Sequence, residues 1–173
     1  MGFYEKHRHF VEDLQRTAPE GVRIEWSGDT LIIQAAPSSI HQLNVGLVQR
    51  QFEQHAPAGY LFGNDSAVAS SDMAMARVPD LSCLAADEAV IAVEVVSKSN
   101  PGNDWMDKLR DYAVMRIPLY LIIDPRQQTV TLFSEPNHDE YHTRSDRKFG
   151  DRIRIPEPFG FELELDTLVP YGD

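Results

Sequence analysis

The chain has 173 residues and a formal net charge of −11, with 42% hydrophobic and 25% charged residues. This composition is typical of a globular protein, and the length predicts one domain with a substantial core. The acidic charge argues against broad electrostatic binding to nucleic acid, because such binding depends on Lys and Arg beside phosphates. With Cys83 as the only cysteine, an internal disulfide is excluded and a cytoplasmic location is expected.

Two patterns that would indicate membrane insertion or secretion are missing from the sequence. No apolar stretch approaches the roughly 20 residues needed to span a bilayer. The first charged residues, in 4–8, are not followed by the apolar segment of a signal peptide. We therefore expect no membrane partner.

The first part of the chain predicts two helices around a hairpin. Residues 4–17 form an amphipathic pattern, and alternation in 22–26 and 30–34 predicts the hairpin. Pro37 with Ser38 or Ser39 as cap begins a second helix that ends near Gln54. The apolar positions at helical spacing are Phe3, Phe10, Val11 and Leu14 in the first helix, and Ile40, Leu43, Leu47, Val48 and Phe52 in the second.

The rest of the chain predicts mostly strands. These are residues 60–62, 67–69, 78–84, 90–98, 117–124, 129–133, 153–155 and 161–165, with an edge strand near Tyr141. Residues 103–115 predict a helix, whereas 72–76 favour no element. The order of elements predicts an α/β (α+β) fold in which helices flank a mixed central β-sheet.

One carboxylate lies inside the most apolar stretch of the chain. Glu94 is costly in such a buried strand unless it is paired or bound to a metal. Asp80 lies fourteen residues earlier on the adjacent predicted strand, and one register places both side chains on the same face. Two such acids can hold Mg²⁺ or Mn²⁺ for phosphodiester hydrolysis. The alternative is that Asp80 is a turn residue and Glu94 belongs to a buried ion pair.

Two lysines are candidates for a catalytic amine beside these acids. Lys98 shares a face with Glu94 if the strand continues, with Val96 between the two on that face. Lys108 lies at the edge of a helical apolar stripe, and its stem could cross that surface toward the acids. The alternative for Lys108 is an exposed helical pair with Asp104, worth about 0.3–0.5 kcal/mol. The residue pattern alone favours this alternative.

Glu25 and His41 are accessory candidates. Glu25 lies in the first predicted strand and could approach the same site, although an acid on an outer hairpin is more often solvated. His41 lies in the first turn of the second helix, where a partly buried, hydrogen-bonded imidazole is expected. The chain has no phosphate-binding glycine loop, so we expect no organic cofactor.

Five stretches, in order along the chain, resemble the Uma2 family of candidate restriction endonucleases, a branch of the PD-(D/E)XK nuclease-like superfamily. They are 37–42, 77–81, 93–97, 104–112 and 117–125. The resemblance covers about residues 22–134 and implies a restriction-endonuclease-like core there. The whole of residues 1–173 would be one domain, with an N-terminal helix and C-terminal strands appended to this core.

The resemblance also implies the roles of particular residues. By position, Asp80 corresponds to the proline-aspartate acid and Glu94 to the second acid, so both would bind a divalent metal. The family's lysine lies on the helix after the second acid, which matches Lys108. Lys98 stands where the family usually has proline, and Glu25 matches an acid near the family's first hairpin.

We therefore expect a Mg²⁺- or Mn²⁺-dependent endonuclease that hydrolyses DNA, with Asp80, Glu94 and Lys108 as catalytic residues. A homodimer is expected because its twofold symmetry matches two antiparallel DNA strands. Two alternatives stay open, since one fold hosts many functions. One is a non-catalytic domain of the same fold that binds protein or nucleic acid. The other is a metal-dependent hydrolase for a smaller phosphate ester.

Overall fold

The computed structural model describes residues 3–19, 22–27, 30–35, 37–70, 75–98 and 101–172. Within these ranges the helical elements are α1 (Phe3–Thr17), α2 (Ser39–His55), a π-helical segment (Asn103–Lys108) and α3 (Leu109–Val114). The strands are β1 (Val22–Ser27), β2 (Thr30–Ala35), β3 (Leu61–Asn64), β4 (Val68–Ser70), β5 (Met75–Arg77), β6 (Leu81–Ala85), β7 (Glu88–Val95), β8 (Leu119–Asp124), β9 (Thr129–Asn137), β10 (Glu140–Lys148), β11 (Arg152–Ile155) and β12 (Phe161–Glu164).

A six-stranded mixed sheet forms the centre of the fold, in the order β10-β9-β8-β7-β6-β3. β7 and β8 run parallel, and their apolar runs are buried because both faces of the sheet are covered. One face, which includes Val93 and Val95, packs against α2. The other face, which includes Ala92 and Val96, packs against α3, and alternation places Glu94 on this side. The predicted mixed sheet with flanking helices is confirmed.

A second sheet of four strands, in the order β2-β1-β5-β4, packs near the first. β1 is an inner strand because it pairs with both β2 and β5. The β11–β12 hairpin covers α2, where Phe52 makes edge-to-face contacts with Phe159 and Phe161 at centroid distances of 5.0 and 5.1 Å. The predicted hairpin of residues 22–34 is therefore part of a larger sheet.

Three predicted elements differ from the structure. The strand expected over 78–84 begins only at Leu81, because the chain passes from the four-stranded to the six-stranded sheet between Arg77 and Leu81, and Pro79 has no N–H to donate to a ladder. The helix expected over 103–115 begins as the π-helical segment. The edge strand near Tyr141 is the nine-residue β10. Residues 71–74, within the unassigned stretch 72–76, lie outside the described residues.

The buried faces of the two long helices also differ from the prediction. In α2, Leu43 is 49% exposed, whereas the polar His41 and Asn44 are buried. The buried stripe is rotated because these two side chains contact polar groups in the interior. In α1, Val11 is fully buried but Phe10 is 54% exposed, and the Phe3 side chain lies outside the described residues. Among the described helices, none combines the length and apolar character needed to cross a membrane.

Candidate active site

Two acids lie close together where β6 begins and β7 ends. Leu81 pairs with Val93 across these antiparallel strands, and this register continues to Asp80 opposite Glu94. Both carboxylates therefore lie on the same side of the sheet. Asp80 Oδ2 accepts a 2.7 Å hydrogen bond from the Val95 backbone N–H, and neither acid is more than 2% exposed. The structure thus brings the two acids together, although Asp80 precedes its strand rather than lying within it.

Lys108 lies at the end of the π-helical segment and is only 1% exposed. Its Nζ lies 2.9 Å from Glu94 Oε1, 3.5 Å from Glu25 Oε1 and 3.6 Å from Asp104 Oδ1. Burial lowers the pKa of this ammonium, but the surrounding carboxylates, Glu94 foremost, outweigh burial and raise it above its ordinary value. Lys108 is therefore cationic at neutral pH. The helical pair of Lys108 with Asp104 that the sequence offered as an alternative is present, but both side chains are buried rather than exposed.

Glu25 and Arg77 extend the cluster into the second sheet. Glu25 is fully buried on the inner strand β1, which corrects the expectation of a solvated acid on an outer hairpin. Arg77 Nη1 donates to Glu25 Oε2 at 3.2 Å, while Nε and Nη2 lie 2.9 and 2.8 Å from Asp111 Oδ2. The other oxygen of Asp111 accepts from Arg110 at 2.8 Å. A line of alternating charges therefore connects Asp111, Arg77, Glu25 and Lys108.

His41 approaches the cluster from α2. The helix begins at the N-cap Ser38, whose Oγ accepts a 3.3 Å hydrogen bond from the His41 backbone N–H. The His41 residue is 4% exposed, and its Nε2 lies 2.9 Å from Asp80 Oδ2. Within the part of the chain that the structure describes, neither ring nitrogen makes a hydrogen bond of good geometry. The imidazole is thus more deeply buried than expected, and its approach to Asp80 is close but not aligned.

The cluster has more acids than cations. The buried carboxylates of the cluster are Glu25, Asp80, Glu94, Asp104 and Asp111, whereas the buried Asp124 is paired with Arg126. Two buried cations, Arg77 and Lys108, and the half-exposed Arg110 face them, which leaves two formal negative charges. Burial, only partly opposed by Lys108, and the neighbouring acids raise the pKa of Glu94 well above its ordinary value and that of Asp104 to about 6. The charged forms of these acids are therefore disfavoured in the cluster, and an added cation would stabilise them.

Two buried tyrosines donate hydrogen bonds to the cluster. The Tyr112 hydroxyl, one helical turn after Lys108, donates to Glu94 Oε1 at 2.6 Å. The Tyr120 hydroxyl, from β8, donates to the Asp104 backbone oxygen at 2.9 Å. Burial first, and then the nearby Glu94 carboxylate, raise the pKa of both hydroxyls. Both therefore stay protonated donors at neutral pH.

Lys98 lies outside this cluster. Its side chain is exposed, and its Nζ donates to the Gly172 backbone oxygen at 2.7 Å. The same ammonium lies 5.4 Å from the centre of the Tyr171 ring. Of the two candidate lysines, the structure therefore places only Lys108 beside the acids.

The charge and the carboxylate oxygen atoms of the cluster bear on whether it can hold a metal ion. Among the described residues, no three His, Cys, Asp or Glu side chains are arranged to hold a metal. Mg²⁺, however, is commonly bound by one or two carboxylates and completes its octahedron with water and phosphate oxygens. Asp80 and Glu94 could supply the carboxylates. The excess negative charge and Glu25 Oε1, a buried oxygen without a hydrogen-bond partner in the described chain, also fit a cation.

Arg77, Asp111 and Tyr112 were missed as site residues by the sequence analysis. A usable signal existed for Arg77, because a charged residue within the apolar run 75–81 needs a buried partner. Asp111 likewise precedes Tyr112 on the apolar stripe of the helix. The identity of their partners carries no such local signal, since Arg77 lies 34 residues from Asp111 in the chain.

The sequence and the fold both have recognisable relatives. The Uma2 family, described as "Putative restriction endonuclease", matches residues 10–167, which include Asp80, Glu94 and Lys108. A crystal structure of "a putative nuclease belonging to DUF820" from Anabaena variabilis ATCC 29413 has the same fold, with a TM-score of 0.68 and 14% identity. The similarity covers 91% of this chain and 96% of that one. No curated protein matches the sequence. Because the match spans most of the chain, this protein belongs to the Uma2 family of restriction-endonuclease-like proteins.

Proposed function

We propose that this protein is a metal-dependent endonuclease that hydrolyses phosphodiester bonds of DNA. Asp80 and Glu94 would hold Mg²⁺ or Mn²⁺, and Lys108 would stabilise the negative charge that develops around phosphorus. The observation that carries the proposal is the 2.9 Å contact between Lys108 Nζ and Glu94 Oε1 inside a buried cluster with excess acid. The family's description supports a nuclease reaction.

The protonation state of Lys108 limits what it can do. When bound, the metal would polarise a phosphoryl oxygen and lower the pKa of an attacking water. Lys108 is a poor general base at neutral pH, because the acids around it raise its pKa. It is instead suited to donate N–H groups to phosphoryl oxygens, as a preorganised electrostatic group. Glu94 Oε1 contacts both the Lys108 ammonium and the Tyr112 hydroxyl, and these two contacts orient Lys108 and Glu94 relative to each other.

The burial of the site favours a second candidate function. Lys108 and Glu94 are each 1% exposed, so a substrate could contact them only after the site opens. The alternative is a non-catalytic domain that kept the nuclease fold and binds protein or nucleic acid. Isothermal titration with Mg²⁺ and Mn²⁺ separates the two. Saturable binding that Glu94→Gln abolishes supports the endonuclease, and the absence of binding at millimolar metal supports the alternative.

Plasmid nicking tests the endonuclease directly. We expect nicking with Mg²⁺ or Mn²⁺ that EDTA abolishes and that Asp80→Ala or Glu94→Ala reduces at least about 100-fold while circular dichroism stays native. Glu53→Ala is the matched control, because Glu53 is an exposed acid on α2. Nicking that persists in both acid variants rules out this site.

The substrate and the assembly state need separate measurements. The charge of −11 restricts DNA contact to local surfaces or to a complex with a partner. Comparing rates on plasmid DNA, RNA and a model phosphodiester tests the third possibility, a hydrolase of smaller phosphate esters. The homodimer and the cytoplasmic location stay predictions from the sequence, and light scattering during size-exclusion chromatography tests the homodimer.

A further inference from the structure

Arg77 is a buried cation with no part in the proposed catalytic set. It lies at the end of β5 and is 1% exposed. Its guanidinium contacts two acids, Asp111 through Nε and Nη2 and Glu25 through Nη1. Asp111 is also paired with Arg110, so its charge is shared between two cations. The Arg77 guanidinium therefore still offsets part of the charge of Glu25, at 3.2 Å.

Glu25 competes with Glu94 for the ammonium of Lys108. The Nζ lies 2.9 Å from Glu94 Oε1 but 3.5 Å from Glu25 Oε1. Glu25 Oε1 is buried and has no hydrogen-bond partner among the described residues, so it is open to a closer approach by the ammonium. The other oxygen of Glu25 is held by Arg77 at 3.2 Å. Without Arg77, Glu25 would carry a full charge with Lys108 as its nearest cation.

We propose that Arg77 is a positioning residue for Lys108. By offsetting the charge of Glu25, Arg77 leaves the ammonium paired with Glu94, next to the proposed metal and phosphate position. The catalytic consequence rests on the proposed function, whereas the position of the ammonium in the metal-free protein does not. Arg77 acts through Glu25 and does not contact the reacting groups.

The ammonium can be observed directly by NMR of protein labelled with ¹⁵N-lysine. The chain has four lysines, and Lys108 is buried while Lys6, Lys98 and Lys148 are exposed, so the ammonium with slow proton exchange belongs to Lys108. We expect Arg77→Met to shift this signal as the ammonium moves toward Glu25. Adding Glu25→Gln should return the signal to its wild-type position. An unshifted signal in Arg77→Met, or no return in the double variant, overturns the proposal.

A second comparison covers the case in which Arg77→Met does not fold. In protein that already carries Glu25→Gln, the competitor is neutral, so removing Arg77 should leave the Lys108 signal in place. A shift between Glu25→Gln and the double variant overturns the proposal. Arg77→Lys keeps the charge but cannot span both acids in the same way, so we expect an intermediate shift.

Metal affinity and kcat should change in opposite directions, whereas a general loss of structure at the site would lower both. Arg77→Met removes a cation from an acidic cluster, so we expect Mn²⁺ to bind more tightly while kcat falls, each by about 2- to 100-fold. In the double variant, kcat should rise and Mn²⁺ affinity should fall relative to Arg77→Met, because the charge that competes for Lys108 is gone. A parallel loss of affinity and turnover in folded Arg77→Met assigns Arg77 a structural role only. If wild-type protein cleaves nothing, the proposed function fails while the NMR result still decides the position of Lys108.

Discussion

Replacing Lys108 with methionine removes the cation on which three buried acids converge. Its Nζ lies between 2.9 and 3.6 Å from Glu94, Glu25 and Asp104. At an effective dielectric constant of about 20, each such contact is worth about 4–6 kcal/mol before the cost of desolvation. Breaking a buried pair by removing one partner costs about 3–5 kcal/mol. We therefore expect the free energy of unfolding of Lys108→Met to fall by about 3–5 kcal/mol at pH 8.

The loss should depend on pH, and urea denaturation measures it. At low pH the acids left without a cation become protonated, which removes their uncompensated charge. The loss in the free energy of unfolding should therefore be smaller at pH 5, below the pKa of about 6 of Asp104, than at pH 8. Lys98→Met is the matched control, because Lys98 is exposed, and its loss should stay within about 0.5 kcal/mol. Equal losses in the two variants, or a deficit that is the same at both pH values, would refute this account of the cluster.

Five further substitutions test Asp104, the two buried tyrosines and the inward face of α2. The folded pKa of Asp104, about 6 against an ordinary 3.8, means that the stability it contributes below pH 3.8 is lost as pH rises through 6. As pH rises from below 3.8 to above 6, the free energy of unfolding of Asp104→Asn should therefore fall by up to about 3 kcal/mol less than that of the wild type. Urea titrations at a series of pH values measure this difference. Tyr112→Phe loses a bond to a carboxylate and should cost about 1.5–3 kcal/mol in thermal or urea unfolding, against about 0.5–1.5 kcal/mol for Tyr120→Phe. Asn44→Ala leaves two C-terminal backbone groups unpaired and should cost about 1–3 kcal/mol, whereas the exposed Leu43→Ala should change the same measurement little.

The strands of the central sheet could be predicted because their patterns are local. The apolar runs of β7 and β8 are long, β-branched and bounded by turns, which indicates burial on both faces. The buried side of α2 could not be predicted in this way. Hydrophobicity favoured Leu43, but His41 and Asn44 face inward because each contacts a polar group from a distant part of the chain. Contacts of that kind cannot be recognised from the spacing of hydrophobic residues in the sequence.

The candidate site could be predicted only in part, for the same reason. Asp80 immediately precedes β6 and Glu94 lies on β7, and these two strands are joined by a short turn, so the proximity of the acids follows from local pairing. The partners of Arg77 lie 34 and 52 residues away in the chain: Glu25 comes beside it when β1 pairs with β5, and Asp111 when the four-stranded sheet packs against α3. Residue spacing therefore indicated the two acids and their candidate lysine, but not the guanidinium that joins them to Glu25 and Asp111.

The charged cluster spans two sheets, and this has a consequence during synthesis and folding. Glu25 and Arg77 come from the four-stranded sheet, whereas Glu94 and Lys108 belong to the central sheet and the helix beside it. A chain whose main sheet has formed but whose hairpin has not docked would hold an incomplete set of charges. If the proposed endonuclease activity requires the complete set of charges, a chain in that partly folded state would be inactive.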